Sequence, residues 1–232
     1  MPGDRATRWL LAGGAIGPVL FVVAFLIEGM IRSDYDAVRV FVSQLSLGVQ
    51  GWLQIANFVV SGLLIIAFAA GLRRVMATGP ASRWGPRMVG VVGFGFVIAG
   101  IFVTDPALGY PPGTPPGLTL SPSWHGSVHL IGALFVFGGL PIACFVFARR
   151  FRAASDRSWR LYTIASGIGM LAFFVTANLA ANGAAGLGDV AGLLQRVAAV
   201  IGLGWMAVLA AWLVRSSARV IAWATQVAPG AG

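Results

Sequence analysis

Two histidines, His125 and His129, stand four residues apart in Trp124-His125-Gly126-Ser127-Val128-His129. On a helix that spacing puts both imidazoles on one face, a turn apart, where they can grip one ion. Asp105, in Thr104-Asp105-Pro106, could supply a carboxylate across a Pro-rich loop. Two His and one Asp with an open fourth position make an acceptable zinc set. Water on that zinc would ionise near neutral pH, giving a hydroxide beside a carbonyl or phosphoryl group. Ser43 joins His125, His129 and Asp105 as a candidate catalytic residue. No Glu follows the first His, so this is not the zincin motif. The same pattern equally describes two interfacial histidines that bond loop carbonyls and Asp105. Haem does not suit it, because two His a turn apart on one face are not opposite axial ligands.

A second polar group surrounds the first. In Tyr35-Asp36-Ala37-Val38-Arg39-Val40-Phe41-Val42-Ser43-Gln44, Asp36 and Arg39 are three apart and pair if the segment is helical. Otherwise Arg39 is free to meet an anion or a headgroup. Gln44, Asn57, Gln195 and Arg196 extend this rim as candidate binding residues, with Arg39 among them. A buried Arg196 needs a partner, and Glu28, Asp105 and Asp189 are the candidates.

The elements that must position these groups follow from composition. The 232 residues are 58% hydrophobic and 10% charged, with a mean hydropathy of +0.85. A soluble domain carries roughly a quarter charged residues, so a solvated globule is excluded. The expected fold is an all-α polytopic membrane protein, a six-helix bundle. Its spans run approximately over 9–31, 51–72, 88–103 (extending back to Trp84), 124–148, 161–181 and 192–214, flanked by segments 1–8 and 215–232. The first run is too long for a signal h-region and lacks a cleavage site, so it is expected to be retained. Pro18 and Pro141 are expected to kink their spans.

All 16 basic residues are Arg, and they give a net charge of +9. They cluster between apolar runs, which points to topology signals and anionic lipid headgroups as contacts, not to nucleic acid. With both termini inside, only Arg32, Arg39 and Arg196 fall outside, so the positive-inside rule favours that orientation. A single cysteine, Cys144, excludes an intrachain disulfide. On this topology His125, His129, Asp105, Ser43, Gln44, Asn57 and Gln195 all lie toward the outer face. Buried polar groups in a membrane are costly, so their convergence predicts one outward-opening cavity. The connection 32–50 is expected to hold a short interfacial helix carrying Tyr35, Val38, Val40, Phe41 and Leu45. The Pro- and Gly-rich connection 104–123 is expected to be an extended lid.

Ser43-Gln44-Leu45-Ser46, Gly51-Trp52-Leu53-Gln54, Asn57-Phe58, Gly100 through Pro106, His125-Gly126 with His129, and Leu194-Gln195-Arg196 with Trp205 together resemble a bacterial membrane-protein family, domain of unknown function 998. The resemblance covers roughly Trp9 to Val214. It implies a six-span protein of a prokaryotic plasma membrane and brings no established activity. A looser likeness in site composition, through Ser43, Asp105, His125 and His129, is to ceramidase and adiponectin-receptor type membrane hydrolases. That likeness lacks the third histidine. Two function classes therefore stand side by side: a membrane protein whose outward polar pocket binds a lipid or small molecule, and a metal-dependent hydrolase of a lipid or lipid-linked substrate. Transport is less favoured, because the charges within spans, Glu28 and Arg196, lie near outer ends and not at the midplane.

Overall fold

The computed structural model describes residues 5–183 and 186–215. Asp4, Arg219 and the rest of the C-terminal tail lie outside the described residues. Six helices form the fold: α1 (Arg5–Ile31), α2 (Gly51–Val75), α3 (Trp84–Ile101), α4 (Trp124–Ala153), α5 (Arg157–Ala181) and α6 (Ala191–Arg215). Each is long and apolar enough to cross a membrane, and lipid-exposed faces such as Val19–Val23 on α1 and Leu130–Leu134 on α4 carry exposed aliphatic side chains. A helix satisfies its own backbone, which is what a hydrocarbon environment demands. Pro18 and Pro141 sit inside continuous helices.

The helices form a closed ring. Each packs against its neighbours in sequence, and α6 returns to pack against α1. Small residues set the spacing. A Cβ at Gly93 of α3 would stand 2.8 Å from the Gly62 carbonyl of α2, and one at Gly95 would stand 2.6 Å from the Gly132 carbonyl of α4. Gly13 of α1 meets the Leu64 carbonyl of α2 in the same way. Inside the ring lie fully buried Phe25, Phe68, Phe96, Phe147, Phe151 and Trp205. The Trp205 indole N–H donates to Thr163 Oγ1 at 3.1 Å, tying α6 to α5.

Alternating helices send the connections to two ends. At one end are the short links 76–83 and 154–156, among the arginine clusters. There Arg150, fully buried, donates to the carbonyls of Thr78 (2.8 Å) and Pro80 (3.2 Å). At the other end are 32–50, 102–123 and 182–190.

The segment 32–50 corrects the expected interfacial helix. It folds as a plug whose regular structure is one 3₁₀ turn, Val42–Ser46. Tyr35, Val40, Phe41 and Leu45 are buried, and only Val38 of the expected five stays exposed. The reason is backbone satisfaction from elsewhere. The first amides of α6 serve the plug, with Gly192 N donating to Arg39 O (3.0 Å) and Leu193 N to Val38 O (2.8 Å). Asp36 Oδ1 accepts from the amides of Val38 and Arg39, closing a local turn. The Asp36–Arg39 side-chain pair therefore does not form, and Arg39 reaches loosely toward Asp189 at 3.9 Å. The lid is non-helical, folded back on itself by Leu108 N to Gly117 O (2.7 Å) and Thr119 Oγ1 to Pro106 O (2.7 Å).

Candidate functional site

The two histidines and Asp105 form a reciprocal cap between α3 and α4. The carbonyls at the end of α3 have no partner within that helix. His129 Nδ1 donates to two such carbonyls, Ala99 O (3.0 Å) and Phe102 O (2.8 Å), and His125 Nδ1 donates to Val103 O (3.0 Å). In return, Asp105 serves the start of α4. Its Oδ2 accepts from Ser123 N and its Oδ1 from Ser123 Oγ, both at 2.7 Å. Ser123 Oγ in turn accepts from Gly126 N at 3.1 Å. Gly126 is what admits the carboxylate: a Cβ there would lie 2.0 Å from Asp105 Oδ2.

Among the described residues, no three His, Cys, Asp or Glu side chains are grouped to hold a metal ion. His125, His129 and Asp105 are not grouped as one set: each imidazole gives its Nδ1 to backbone, and both Asp105 oxygens go to Ser123. The spacing of four turns both rings toward α3, where their Nδ1 atoms meet the carbonyls at the end of that helix.

A vestibule of about 160 Å³ under the lid is lined by Ser43, Gln44, Asp105, His129, Asn178 and Gln195, with Ala133, Phe137 and Phe174 below. It is flanked by Leu130, which is 55% exposed on the lipid-facing side of α4. A separate apolar slot of about 50 Å³ lies inside the ring. All six helices line it, through Phe21, Phe58, Phe96, Leu140, Met170 and Leu203. The two spaces share Ser43, His129, Ala133, Phe137 and Gln195, which form the neck between them.

The remaining candidates sort by what they touch. His125 is not on either wall, since its ring turns to Val103 and Trp124. Asn57 lies deeper between α1 and α2, donating to Phe21 O and Gln54 Oε1. Gln44 spans the lid, its Nε2 donating to Asp105 O (3.0 Å) and its Oε1 accepting from Ala107 N (3.2 Å). Gln195 Oε1 accepts from Val42 N at 2.8 Å, fastening the plug to α6. Arg39 lines a separate space of about 450 Å³ with Asp189.

Among the described residues Arg196 has no carboxylate partner, contrary to expectation. It donates to the Tyr35 hydroxyl and to Val40 O (2.8 Å) and Gly192 O (3.1 Å). Its guanidinium also lies over the rings of Phe25 and Tyr35, at 5.8 and 5.5 Å. Burial pushes the Tyr35 phenol up to about 12 despite the nearby Arg196 cation. Glu28 instead pairs with Arg32 at 2.8 Å. Arg32 goes on to the carbonyls of Leu47 and Gln50 and to the Tyr110 hydroxyl of the lid. Reading residues one at a time passed over this Arg32–Tyr110 link, although the four-residue spacing of Glu28 and Arg32 signals the pair. Ala133, Phe137 and Met170 carried no signal, since apolar residues in a span look alike until helices are packed.

No curated protein and no solved structure matches the chain. A family profile does, over residues 15–212. That match, on six apolar helices, places the chain in a family defined without an activity: it is a multi-pass membrane protein of DUF998, the proteins of unknown function.

Proposed function

We propose that this protein binds a lipid or another amphipathic small molecule in the vestibule and slot, from the extracytoplasmic side of the membrane. The observation that carries this reading is the neck. Ser43, His129 and Gln195 line both spaces, so a chamber of mixed lining under the lid and an apolar one inside the ring adjoin at a few polar groups. Ligand sites are concave, mostly apolar, and carry a few convergent polar groups, and this pair of spaces has that composition. A polar head under the lid would find hydrogen-bonding groups, and a small apolar end in the slot would find mostly apolar side chains. The exposed Leu130 beside the vestibule gives the molecule a route from the bilayer without crossing water. The arginine distribution supports an outward-facing lid end.

The test is retention. Native mass spectrometry of the protein released from lipid nanodiscs should detect a bound amphiphile. Ala133→Trp, which fills the neck from α4, should reduce that occupancy at least tenfold. A protein that carries no adduct in any lipid mixture sinks the reading.

A further inference from the structure

At the end of the ring opposite the lid, one seam is cationic without any acid to balance it. No Asp or Glu lies between Asp36 and Asp105 in the sequence, so α2, the link 76–83 and α3 bring Arg73, Arg74, Arg83 and Arg87 with no carboxylate. All four side chains are exposed. The ion pairs Glu28–Arg32 and Arg39–Asp189 involve none of them. The other arginine groups at this end differ, since Arg157 and Arg160 flank the start of α5 beside Asp156.

The register of α2 against α3 sets two of the four side by side. A Cβ at Gly100 would meet Val59, one at Gly93 would meet Ile66, and one at Gly90 would meet Ala69 at 3.7 Å. Each step down α3 thus matches an equal step up α2. One turn beyond the last of these contacts lie Arg73, four residues after Ala69, and Arg87, three before Gly90. Their backbone positions therefore flank the same seam, and Arg87 also lies over the exposed Trp84 ring at 5.4 Å.

The helix ends sharpen the imbalance. Arg73 and Arg74 stand in the last turn of α2, where the helix dipole favours a cation. Arg83 and Arg87 stand at the start of α3, where the dipole disfavours one, and the first turn of α3 holds no acidic residue. The link between the two helices is pinned from inside, because buried Arg150 donates to the Thr78 and Pro80 carbonyls. The four exposed arginines are thus fixed to a rigid corner, and an anion from outside the protein is what offsets them.

The membrane supplies that anion. Exposed Trp84 marks the headgroup level. Along the seam toward the bilayer centre, Ala70 and Leu63 of α2 and Phe94 of α3 are exposed and apolar, a face for lipid chains. Guanidinium forks match phosphate oxygens. A zwitterionic head would bring its ammonium into the same cationic field, so net negative charge is selected. We infer that Arg73 and Arg87 hold the phosphate of an anionic phospholipid in the leaflet at this end, with its chains against Leu63 and Phe94. This is one site on one seam, independent of the vestibule and of what binds there.

Native mass spectrometry tests it on the full-length protein released from nanodiscs of equal parts phosphatidylglycerol and phosphatidylcholine with identical chains. Phosphatidylglycerol adducts should exceed phosphatidylcholine adducts about tenfold. Arg73→Gln with Arg87→Gln should cut that preference to about twofold. Ala70→Glu, which keeps both arginines and sets a carboxylate one turn from Arg73, should cut it similarly. Arg152→Gln with Arg160→Gln, an equal loss of exposed charge at the same end, should leave it unchanged. Equal losses from the two arginine pairs overturn the site in favour of diffuse attraction by the whole rim. Full preference in the Ala70→Glu protein overturns it too, and a parent protein without preference overturns anionic-lipid binding altogether. Soluble glycerol phosphate added before release should displace no adduct. Its appearance on the protein in place of lipid overturns the lipid as the source of the phosphate.

Discussion

Gly126 shows how a single missing side chain organises the lid end. The Asp105 carboxylate occupies the place where its Cβ would be, 2.0 Å from Oδ2. Gly126→Ala must displace that carboxylate from Ser123, and we expect a loss of about 1–3 kcal/mol of stability, the range for overpacking a tight site. Asp105→Ala should cost about 1 kcal/mol as the loss of a helix-start acceptor. The two losses should not add. Once the carboxylate is gone, the alanine at 126 has room, so the double variant should be no less stable than Asp105→Ala by more than a few tenths of a kcal/mol. Thermal unfolding in one detergent measures all three. The histidines differ in the same experiment. His129→Ala strands two buried carbonyls, at about 1–3 kcal/mol. His125 is half-buried, so water can replace its single bond, and His125→Ala should cost less. A metal site would have made both replacements comparable and both sensitive to chelation.

At the scale of elements, the plug is the feature that decides what the lid end can do. Its hydroxyl-to-guanidinium contact, Tyr35 with Arg196, lies where the plug meets α6. The Tyr35 phenol is raised from its ordinary 10 to about 12. The neutral phenol is thus favoured by the fold, and the sign follows. Its contribution is complete below pH 10 and is lost as pH rises through about 12. Absorbance titration of phenolate should show a late step near pH 12 that Tyr35→Phe removes. Tyr35→Phe and Arg196→Met should also speed amide exchange across residues 38–47 at neutral pH, with α2–α5 unchanged. Uniform acceleration through the helices would show that these residues serve the whole bundle and not the plug. This is also where the sequence was least legible. The apolar residues Val38, Val40, Phe41 and Leu45 have spacings that suit an amphipathic helix. What prevents one is the docking of the segment against Gly192, Gln195 and Arg196, roughly 150 positions away, and no local pattern announces that. The lid was easier, because its prolines forbid a helix wherever it packs. The histidine pair was legible as one helix face, whereas its target depended on where α3 ends.

For the molecule as a whole, hydropathy and arginine placement carry almost all of the architecture. Six runs without a solvated face leave the backbone one way to satisfy itself, and the glycines at 93, 95 and 132 let the resulting helices close into a ring. The direction in which that ring faces follows from charge. Arg73, Arg74, Arg83 and Arg87 flank one end of α2 and α3, and Arg149, Arg150, Arg152, Arg157 and Arg160 flank the same end of α4 and α5. Positive charge resists translocation, so this end should face the cytoplasm, with the lid and vestibule outside. Cys144 is fully buried, which permits a clean test in a Cys144→Ala background. Ser121→Cys in the lid and Ser158→Cys at the start of α5 place single exposed thiols at opposite ends. A membrane-impermeant maleimide added to intact cells should modify position 121 and spare 158. Position 158 should react only after the membrane is permeabilised. The reverse pattern would turn the vestibule toward the cytoplasm. A ligand drawn from the outer leaflet would then have to be replaced by one drawn from the inner leaflet, with the chemistry of the neck unchanged.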